Sequence, residues 1–447
     1  MAKKTMNIVM MTNTYIPIIG GLEKSVESFS QEYRKRGHNV LIVAPEFEGV
    51  PEKEEGVFRI PAIQNFNGTD FSVELPISPE LSKTLKAFKP DIIHTHHPFL
   101  IGDTALRAAS EFNVPIIFTH HTLYEKNTHY VPGDSKTVQR FVVQLARGYA
   151  NLCDRVIAPS PSIAKLLKQR KVKTPVDVLP TGIYLDRFKK GNGEVFRQFF
   201  EIPAKAFVVG IVGRVAPEKN VQFLAKAAMR FLKMCDNAYF VVVGSGPSLE
   251  SMRKDFEKRK LADRLVCTGV LKGNQLISAY KALDVFAFAS HSETQGLVLN
   301  EAMAAGTPVV AVNAPGVRDV LRDQENGRMI ARDNVKQFVM ALQWMFQQSP
   351  QKIKQMKEEA RCMAAEFSMD QCVQKALDIY QKVIDQELAE KNIHDNSWRK
   401  TLRILDTQKD LMINMTKATT KAVGEGPKRF IRKTTRKIQR KIKHMVL

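Results

Sequence analysis

The sequence predicts an α/β protein with two doubly wound parallel-sheet domains and a basic helical tail, and three observations predict it. First, 447 residues exceed one ordinary hydrophobic core and suffice for two domains with an appendage. Second, short β-rich runs alternate with helical patterns, as parallel sheets built from βαβ units require. Third, the composition changes from Lys391 onward, where 16 Lys and Arg residues stand against 4 Asp and Glu over 391–447.

The strand-like runs fall into two series, one for each predicted domain. The first series is 7–11, 39–44, 91–94, 115–119, 155–158 and 176–179, and the second is 207–212, 238–243, 264–268, 284–289 and 308–312. We therefore predict a first domain over 1–188, a second over 189–370 with the polar, glycine-rich stretch 189–193 as linker, a helix over 371–390 that returns to the first domain, and a tail over 391–447. Doubly wound sheets bind ligands at the carboxyl ends of their strands, so functional side chains are expected in the loops that follow these runs.

The net charge of +21 is concentrated in the tail, which carries +12 against +9 for the rest of the chain. A single-sign cluster of this kind predicts an anionic partner, such as a membrane surface, nucleic acid or an acidic protein. Apolar residues recur through the tail at 398, 402, 405, 412 and 415, and again at 430, 438, 442 and 446. A basic amphipathic helix on anionic lipid is the simplest use of this pattern, and solvated disorder is the alternative. Base-stacking aromatics are nearly absent, which argues against nucleic acid.

Cysteine usage and hydropathy favour a cytosolic protein. The five cysteines are odd in number and scattered, without a Cys-x-x-Cys pair, which argues against a disulfide framework and a zinc site. No apolar stretch approaches the ~20 residues of a membrane span. The start of the chain runs into a strand pattern instead of a signal peptide.

The segment 291–312 holds two carboxylates eight positions apart, Glu293 in a loop and Glu301 in the helix that follows. The free N–H groups at the start of a helix bind anions such as phosphate. A carboxylate would repel a diphosphate but accepts hydrogen bonds from hydroxyls, so the pair is expected to bind hydroxyls on either side of bound phosphates. Acids favoured at a helix start are the simpler alternative for the spacing alone.

The segment 213–220 follows the first strand of the second domain and supplies two cations, Arg214 and Lys219. Arg offers a fork of donors and Lys a point charge, and both suit a diphosphate leaving group. No Asp-x-Asp triplet occurs in the sequence. We therefore expect no metal or other cofactor, with Arg214, Lys219 and the helix dipole after Gly296 stabilising the departing group. A solvated basic loop is the alternative.

Two segments of the first domain are candidates for the same site. Gly20 and Gly21 follow the first strand, and their backbone N–H groups could approach a phosphate; they do not form the Gly-x-Gly-x-x-Gly dinucleotide fingerprint. Histidines cluster at 94–97 and at 120–129, after two neighbouring strand runs. A zinc site would need an acidic ligand or an i,i+4 histidine pair, and neither accompanies them. A polar wall that orients substrate hydroxyls fits better, and His94 is expected to face the core.

With these segments together, residues 5–390 resemble the retaining GT-B glycosyltransferases of family 4. The motifs that carry the resemblance are Gly20-Gly21, Thr119-x-His121, Gly213-Arg-x-x-x-Glu-Lys219, Val243-Gly-Ser-Gly-Pro247, and Glu293-x7-Glu301 before Gly306-Thr-Pro308. The resemblance implies the GT-B fold, in which two Rossmann-like domains face a cleft. It also implies a hexosyltransferase that needs no cofactor, because the nucleotide sugar that donates the hexose is a substrate.

The resemblance further implies a role for each matching residue. Arg214 and Lys219 would bind the donor diphosphate, Glu293 the hydroxyls of the transferred sugar, and Glu301 the ribose. The segment Thr294, Gln295, Gly296 and Leu297 would complete the donor site, with the base near Leu271. His121 would lie beside the donor sugar, and Gly21 would offer its backbone N–H near the phosphate or acceptor. No nucleophile is evident, and in the front-face mechanism the departing phosphate oxygen takes the acceptor's proton.

Within family 4 the chain resembles bacterial diacylglycerol glucosyltransferases, through 120–133, 293–301 and 67–71. This likeness implies UDP-glucose as donor, diacylglycerol or a related lipid as acceptor, an α linkage, and a cytoplasmic enzyme associated peripherally with the membrane face. A second membrane contact is expected over 135–149, where Lys136, Arg140 and Arg147 border apolar residues. The alternatives are a soluble acceptor such as a phosphosugar, another donor such as GDP-mannose or a sulfosugar nucleotide, and an inactive transferase core that serves as a membrane or RNA adaptor.

Overall fold

The computed structural model describes residues 5–18, 20–47, 50, 54–63, 73–74, 79–126, 135–393 and 397–423. The strands are β1 Asn7–Met11, β2 Asn39–Pro45, β3 Val57–Ile60, β4 Ala62–Ile63, β5 Val73–Glu74, β6 Ile92–Thr95, β7 Ile116–Thr119, β8 Arg155–Ala158, β9 Val176–Val178, β10 Phe207–Val212, β11 Ala238–Val243, β12 Leu265–Gly269, β13 Val285–Phe288, β14 Val309–Val312 and β15 Gly327–Ile330. The helices are α1 Gly21–Lys35, α2 Pro79–Phe88, α3 Ile101–Phe112, α4 Lys136–Ala150, α5 Pro161–Gln169, α6 Gly193–Phe199, α7 Val221–Leu232, α8 Leu249–Glu257, α9 Gly273–Ala282, α10 Leu297–Ala304, α11 Val335–Phe346, α12 Pro350–Ala365, α13 Met369–Ile393 and α14 Ser397–Val423.

The chain divides into two compact units. The first unit contains the described residues of Met1–Ala158, Ala164–Asp177 and Leu377–Leu447, and the second contains Pro159–Ile163 and Val178–Ala376. The change of unit falls at Val178, ahead of the predicted boundary at 188, and the chain rejoins the first unit inside α13. Helix α13 spans the predicted returning helix at 371–390 and continues to Ile393.

The first unit is built on a seven-stranded sheet in the order β3-β2-β1-β6-β7-β8-β9. The strand pairs from β3 through β8 are parallel. The strand order reverses between β1 and β6, so the loops after these strands diverge and leave a crevice at their carboxyl ends. Strand β1 is almost wholly apolar and buried, as a central strand with both faces covered requires.

The second unit has a six-stranded parallel sheet in the order β12-β11-β10-β13-β14-β15. Successive residues of β11 point to opposite faces, so Phe240 and Val242 enter one core while Val241 and Val243 enter the other. A helix layer therefore covers each face, and both units have the doubly wound α/β architecture that the sequence predicts. The reversal of strand order lies between β10 and β13.

All eleven predicted strands are present, with ends within one residue of the predicted bounds. Strands β3 and β15 were not predicted, and both lie at sheet edges, where a short strand with polar residues gives little apolar signal. The small hairpin of β4 and β5 was also not predicted. The motif 67–71 and the residues 127–134 lie outside the described residues, as does the second amphipathic stretch after Val423.

The glycine-rich stretch 189–193 packs against α9 and differs from an open linker. A side chain at Gly191 would meet Ile277, and one at Gly193 would meet the backbone of Lys281. Lys281 Nζ also donates to the Gly191 carbonyl at 2.8 Å. The glycines therefore serve close approach of two backbone segments within the second unit. The five cysteines are free thiols, as predicted, and no described helix combines the length and the apolar content needed to cross a membrane.

Candidate functional site

The two charged segments of the second unit lie side by side at the reversal of strand order. Strand β10 ends at Val212 and leads into the Arg214 loop, while the neighbouring β13 ends at Phe288 and leads into the Glu293 loop. Because β10 and β13 are parallel, both loops leave the same edge of the sheet. The sequence placed Lys219 and Glu293 in separate motifs, and the fold brings them together.

Lys219 and Glu293 form an ion pair in which Lys219 Nζ donates to Glu293 Oε1. Lys219 ends a 3-10 turn, Pro217–Lys219, after which Asn220 takes a left-handed backbone. The side chains are 34% and 17% exposed, so the pair is open to solvent on one side and a ligand can reach it. Both side chains belong to the predicted donor site, and in this structure they neutralise each other.

The approach of two loops sets the backbone around Arg214. Gly213 has φ +137°, and a side chain on Gly244 would collide with the Gly213 carbonyl oxygen. A side chain on Gly246 would collide with Val215 in the same way. The glycines of the 243–247 motif therefore let the loop after β11 lie directly against the loop after β10. Arg214 is exposed at this edge of the sheet.

The start of α10 is shaped by Gly296 and braced by Gln295. Gly296 is the N-cap, with φ +74° and no side-chain cap hydrogen bond to the helix. Gln295 is buried, and its amide makes two hydrogen bonds with the Thr181 backbone, accepting from the N–H at 2.7 Å and donating to the carbonyl at 2.8 Å. These two bonds hold the Gln295 side chain against the Thr181 backbone and so brace the loop at the start of α10. Thr294 is buried beside it, and Leu297 opens the helix.

Glu301 lies one turn into α10 and is held by Tyr280 of α9. The Tyr280 hydroxyl donates to Glu301 Oε2 at 2.7 Å, and the Tyr280 carbonyl accepts from Thr307 Oγ1 at 2.8 Å. Burial, together with the Glu301 carboxylate, raises the pKa of Tyr280 well above its usual value, so the phenol stays a donor. Sequence reasoning missed Tyr280, because an aromatic residue on an amphipathic helix gives no functional signal. Leu271 precedes α9 and packs on the core of this unit.

In the first unit, α1 begins at Gly21 with Gly20 as its N-cap. A side chain on Gly20 would collide with the Glu23 carboxyl, whereas one on Gly21 would meet open space. The Glu23 carboxyl therefore lies close over Gly20, while the surroundings of Gly21 leave room for a ligand. Burial raises the pKa of Glu23, which lies in the first turn of the same helix.

Five histidines lie at the carboxyl ends of β6 and β7, and two of them are paired. His96 Nδ1 and His121 Nε2 are 2.9 Å apart, with ring centroids at 5.1 Å and planes tilted by 30°, as an end-on hydrogen bond between nearly coplanar rings requires. Burial and the neighbouring histidines lower the pKa of both well below the usual value, so both are neutral and one donates to the other. Within the described residues, no group of His, Cys, Asp and Glu is arranged to hold a metal ion.

Behind this pair, a buried hydrogen-bonded chain fixes the strand ends. His94 Nδ1 lies 2.5 Å from the Tyr380 hydroxyl of α13, and His94 Nε2 lies 2.6 Å from Thr119 Oγ1. Burial lowers the pKa of His94 to about 3, so it stays a neutral linker between the two hydroxyls. His94 therefore faces the core, as predicted, and it ties β6, β7 and α13 together below His121.

The predicted site residues thus fall in both units. Gly21 and His121 belong to the first unit, and the remaining candidates belong to the second: Arg214, Lys219, Leu271, Glu293, Thr294, Gln295, Gly296, Leu297 and Glu301. Within the second unit, the structure brings Lys219 to Glu293 and places Glu301 on the helix that the Glu293 loop opens. Two doubly wound units, with cations and a helix start at the strand ends of the second unit, are the features that the predicted GT-B fold requires.

Comparison with known proteins gives the same class. The family model "Glycosyltransferase Family 4" matches residues 19–187, and "Glycosyl transferases group 1" matches residues 193–363. The sequence is 32% identical over 330 residues to an alpha-monoglucosyldiacylglycerol synthase of Streptococcus pneumoniae, covering 72% of this chain and 75% of that protein. It is 29% identical over 343 residues to the enzyme of that name from Acholeplasma laidlawii, covering 72% and 84%.

A solved structure agrees with these sequence matches at the level of the fold. The sucrose-phosphate synthase of Thermosynechococcus elongatus superposes with a TM-score of 0.70 at 20% identity, covering 85% of this chain and 99% of that one. The chain belongs to family 4 of the glycosyltransferases. It is a hexosyltransferase with the GT-B type of fold, as the sequence predicts.

Proposed function

We propose that this enzyme transfers glucose from UDP-glucose to diacylglycerol or a related lipid, with an α linkage, at the cytoplasmic face of an anionic membrane. The observation that carries the proposal is the Lys219–Glu293 pair at the strand ends of a chain similar to two alpha-monoglucosyldiacylglycerol synthases. A cation and a hydroxyl acceptor held side by side match the two parts of a nucleotide sugar that meet at the reacting bond.

The residues of the second unit would act on the donor by electrostatics and orientation. Lys219 and Arg214 would neutralise the charge that gathers on the diphosphate as it leaves, and the N–H groups at the start of α10 would share this role. Glu293, released from Lys219, would accept hydrogen bonds from hydroxyls of the glucose. Glu301, oriented by Tyr280, would accept from the ribose.

Retention of configuration requires the acceptor hydroxyl to enter on the face from which the diphosphate departs. The departing phosphate oxygen would take the acceptor's proton, so the new glycosidic bond forms as the bond to phosphate breaks. Diacylglycerol enters only from a lipid phase, so this acceptor would require the enzyme to bind the membrane, and the basic tail would serve that purpose.

The test is incubation of the purified chain with radiolabelled UDP-glucose and mixed lipid vesicles, followed by extraction into organic solvent. We expect the label in one glycolipid band, from which an α-glucosidase releases labelled glucose. Parallel reactions with GDP-mannose, and with soluble phosphosugars as acceptors, test the alternative donors and acceptors. Label that stays wholly in the water phase would contradict the lipid acceptor, and label released only by a β-glucosidase would contradict retention.

A further inference from the structure

Asp333 joins the two loops that carry Lys219 and Glu293. It follows β15, which is parallel to the other strands of its sheet and so ends at the same edge as β10 and β13. Asn220 Nδ2 donates to Asp333 Oδ2 at 2.8 Å, and His291 Nε2 donates to Asp333 Oδ1 at 2.9 Å. The two donor atoms are 3.5 Å apart, so the three side chains meet at one point. These bonds form a bridge, the Asp333 bridge, from the residue after Lys219 to the residue two positions before Glu293.

The side chains of Asn220 and Asp333 are not used to cap the helices that they precede. Asn220 is the N-cap of α7, with a left-handed backbone at φ +55°, yet its side chain makes no cap hydrogen bond. An asparagine at this position ordinarily accepts a hydrogen bond from the first turn of the helix. At the start of α11 the cap is Asn334, whose side chain accepts from the Gln337 N–H at 3.0 Å. Both Asn220 and Asp333 therefore bond across loops instead of along the chain.

The Asp333 bridge adds little to the stability of the fold. The side chains of Asp333 and His291 are 41% and 43% exposed. Polar contacts at this exposure contribute little free energy of folding, because water competes for both partners. The consequence of the bridge is geometric, since it sets the distance between two loops that come from different strands.

The direct link between the same loops cannot set this distance while a donor is bound. In the proposed mechanism the diphosphate takes Lys219 and the sugar hydroxyls take Glu293, so the ion pair between them opens. Ser290 Oγ lies 3.4 Å from the Glu218 carbonyl oxygen, a distance at which a hydroxyl hydrogen bond is weak. The Asp333 bridge uses neither Lys219 nor Glu293. It can therefore persist when both of them bind the donor.

We propose that Asp333 is a positioning residue that keeps the Lys219 loop and the Glu293 loop at a fixed spacing while the donor occupies both. A change in this spacing would displace either the diphosphate or the sugar from the geometry of transfer. A displacement of about 1 Å can lower a rate about a hundredfold. Asp333 touches no reacting atom and acts through Asn220 and His291. The inference rests on the proposed function for the roles of Lys219 and Glu293.

Three substitutions isolate the bridge, and a fourth is the matched control. Asp333→Ala removes both bonds, and Asn220→Gly removes one of them while keeping a residue that readily takes the left-handed backbone. Asp333→Asn keeps an oxygen for Asn220 and turns an amide toward His291, whose neutral ring can accept at Nε2. In the control, Asp323→Ala, the residue replaced is 38% exposed, precedes β15, and accepts from Arg328 and from a backbone N–H of the same strand.

Turnover in mildly alkaline buffer is the first measurement. Asp333→Ala should lower kcat for glucose transfer about tenfold, and Asn220→Gly should lower it in the same direction. Asp333→Asn should keep most of the native turnover, and Asp323→Ala should be native-like, although urea unfolding should show equally small losses of stability for both alanine variants. Native turnover in Asp333→Ala would overturn the proposal. Turnover in Asp333→Asn as low as in Asp333→Ala would also overturn it.

Hydrogen exchange over 213–220 and 290–296 is the second measurement, and it requires neither donor nor turnover. The full-length native protein is compared with Asp333→Ala, Lys219→Ala and the double variant. Each single variant keeps one link between the loops, so exchange should rise only slightly. The double variant loses both links, and exchange in both loops should rise several-fold beyond the product of the two single effects. A rise equal to that product would overturn the proposal.

The proposed function fails on a different result. Absence of glucose transfer to lipid by the native protein would refute the glucosyltransferase assignment. The exchange comparison would still decide whether Asp333 couples the two loops. Conversely, glucose transfer that is equal in the native protein and in Asp333→Ala would overturn the role of Asp333 and leave the proposed function standing.

Discussion

His120 is the buried histidine with which the acid stability of the first unit can be tested. It is 2% exposed, and its ring lies edge-on to Phe118 and Tyr124, at centroid distances of 5.8 and 5.4 Å. Neither ring nitrogen has a hydrogen-bond partner among the described residues. Burial lowers the pKa of His120 from 6.5 to about 3, with a smaller contribution from Arg170. The folded protein therefore binds no proton here at about pH 5, whereas the unfolded chain does.

The sign and size of the effect follow from this difference. A histidine with a lowered folded pKa contributes its full stability above the unfolded value of 6.5, and loses it as the pH falls toward about 3. Between about pH 7.5 and pH 5 the loss is about 2 kcal/mol for each such group. His94 and His97 are lowered to the same value by burial, so the three together cost about 6 kcal/mol, a large part of ordinary stability.

His120→Phe should therefore lose about 2 kcal/mol less than the native protein between about pH 7.5 and pH 5. Urea unfolding at the two pH values measures this, and any change in packing cancels in the difference. Tyr124→Phe is the control, since it removes another buried polar group without a partner among the described residues, the Tyr124 hydroxyl, but no group that titrates in acid. An equal loss of stability in His120→Phe and the native protein would refute the reasoning.

Two further predictions concern the donor site. Lys219→Ala should lower kcat by about 10²–10³ with the fold retained, because the diphosphate then leaves with less charge compensation. Steady-state transfer assays measure this, with Lys226→Ala on the exposed face of α7 as the control. Near-native turnover in Lys219→Ala would contradict the electrostatic role. Tyr280→Phe should weaken UDP binding about tenfold, because Glu301 loses the hydrogen bond that orients it. Calorimetric titration with UDP measures this. Native affinity for UDP would contradict the assignment of Glu301 to the ribose.

The sequence predicted those parts of the fold that depend on local apolar runs. Strand β10 is bounded as predicted because its residues are apolar and β-branched, flanked by polar loops. The proximity of Lys219 and Glu293 also follows from sequence once their strands are placed, since both loops leave parallel neighbours at the point of reversal. Edge strand β15 is short and contains both polar and apolar residues. Its formation therefore depends on pairing with β14 and on burial more than on its own sequence.

Contacts made by side chains from distant segments could not be read from the sequence. The clustering of histidines was visible, but the His96–His121 bond depends on the register of β6 against β7, which pairs His94 with Ile117. Gln295 carried a donor-site prediction, yet its amide is committed to Thr181, more than a hundred positions away. Such partners are set by tertiary packing, so periodicity and motif spacing carry no information about them.

The Lys219–Glu293 pair makes donor recognition a single event in the proposed mechanism. Because the Lys219 side chain is 34% exposed, an incoming diphosphate can reach it from solvent and compete with Glu293 for its charge. A diphosphate that takes Lys219 leaves the Glu293 carboxylate without its cation, in a side chain that is mostly buried. Sugar hydroxyls can then donate to that carboxylate, whereas a nucleotide alone offers it nothing. The pair therefore favours a ligand that carries both groups at once, which is the chemical definition of a nucleotide sugar.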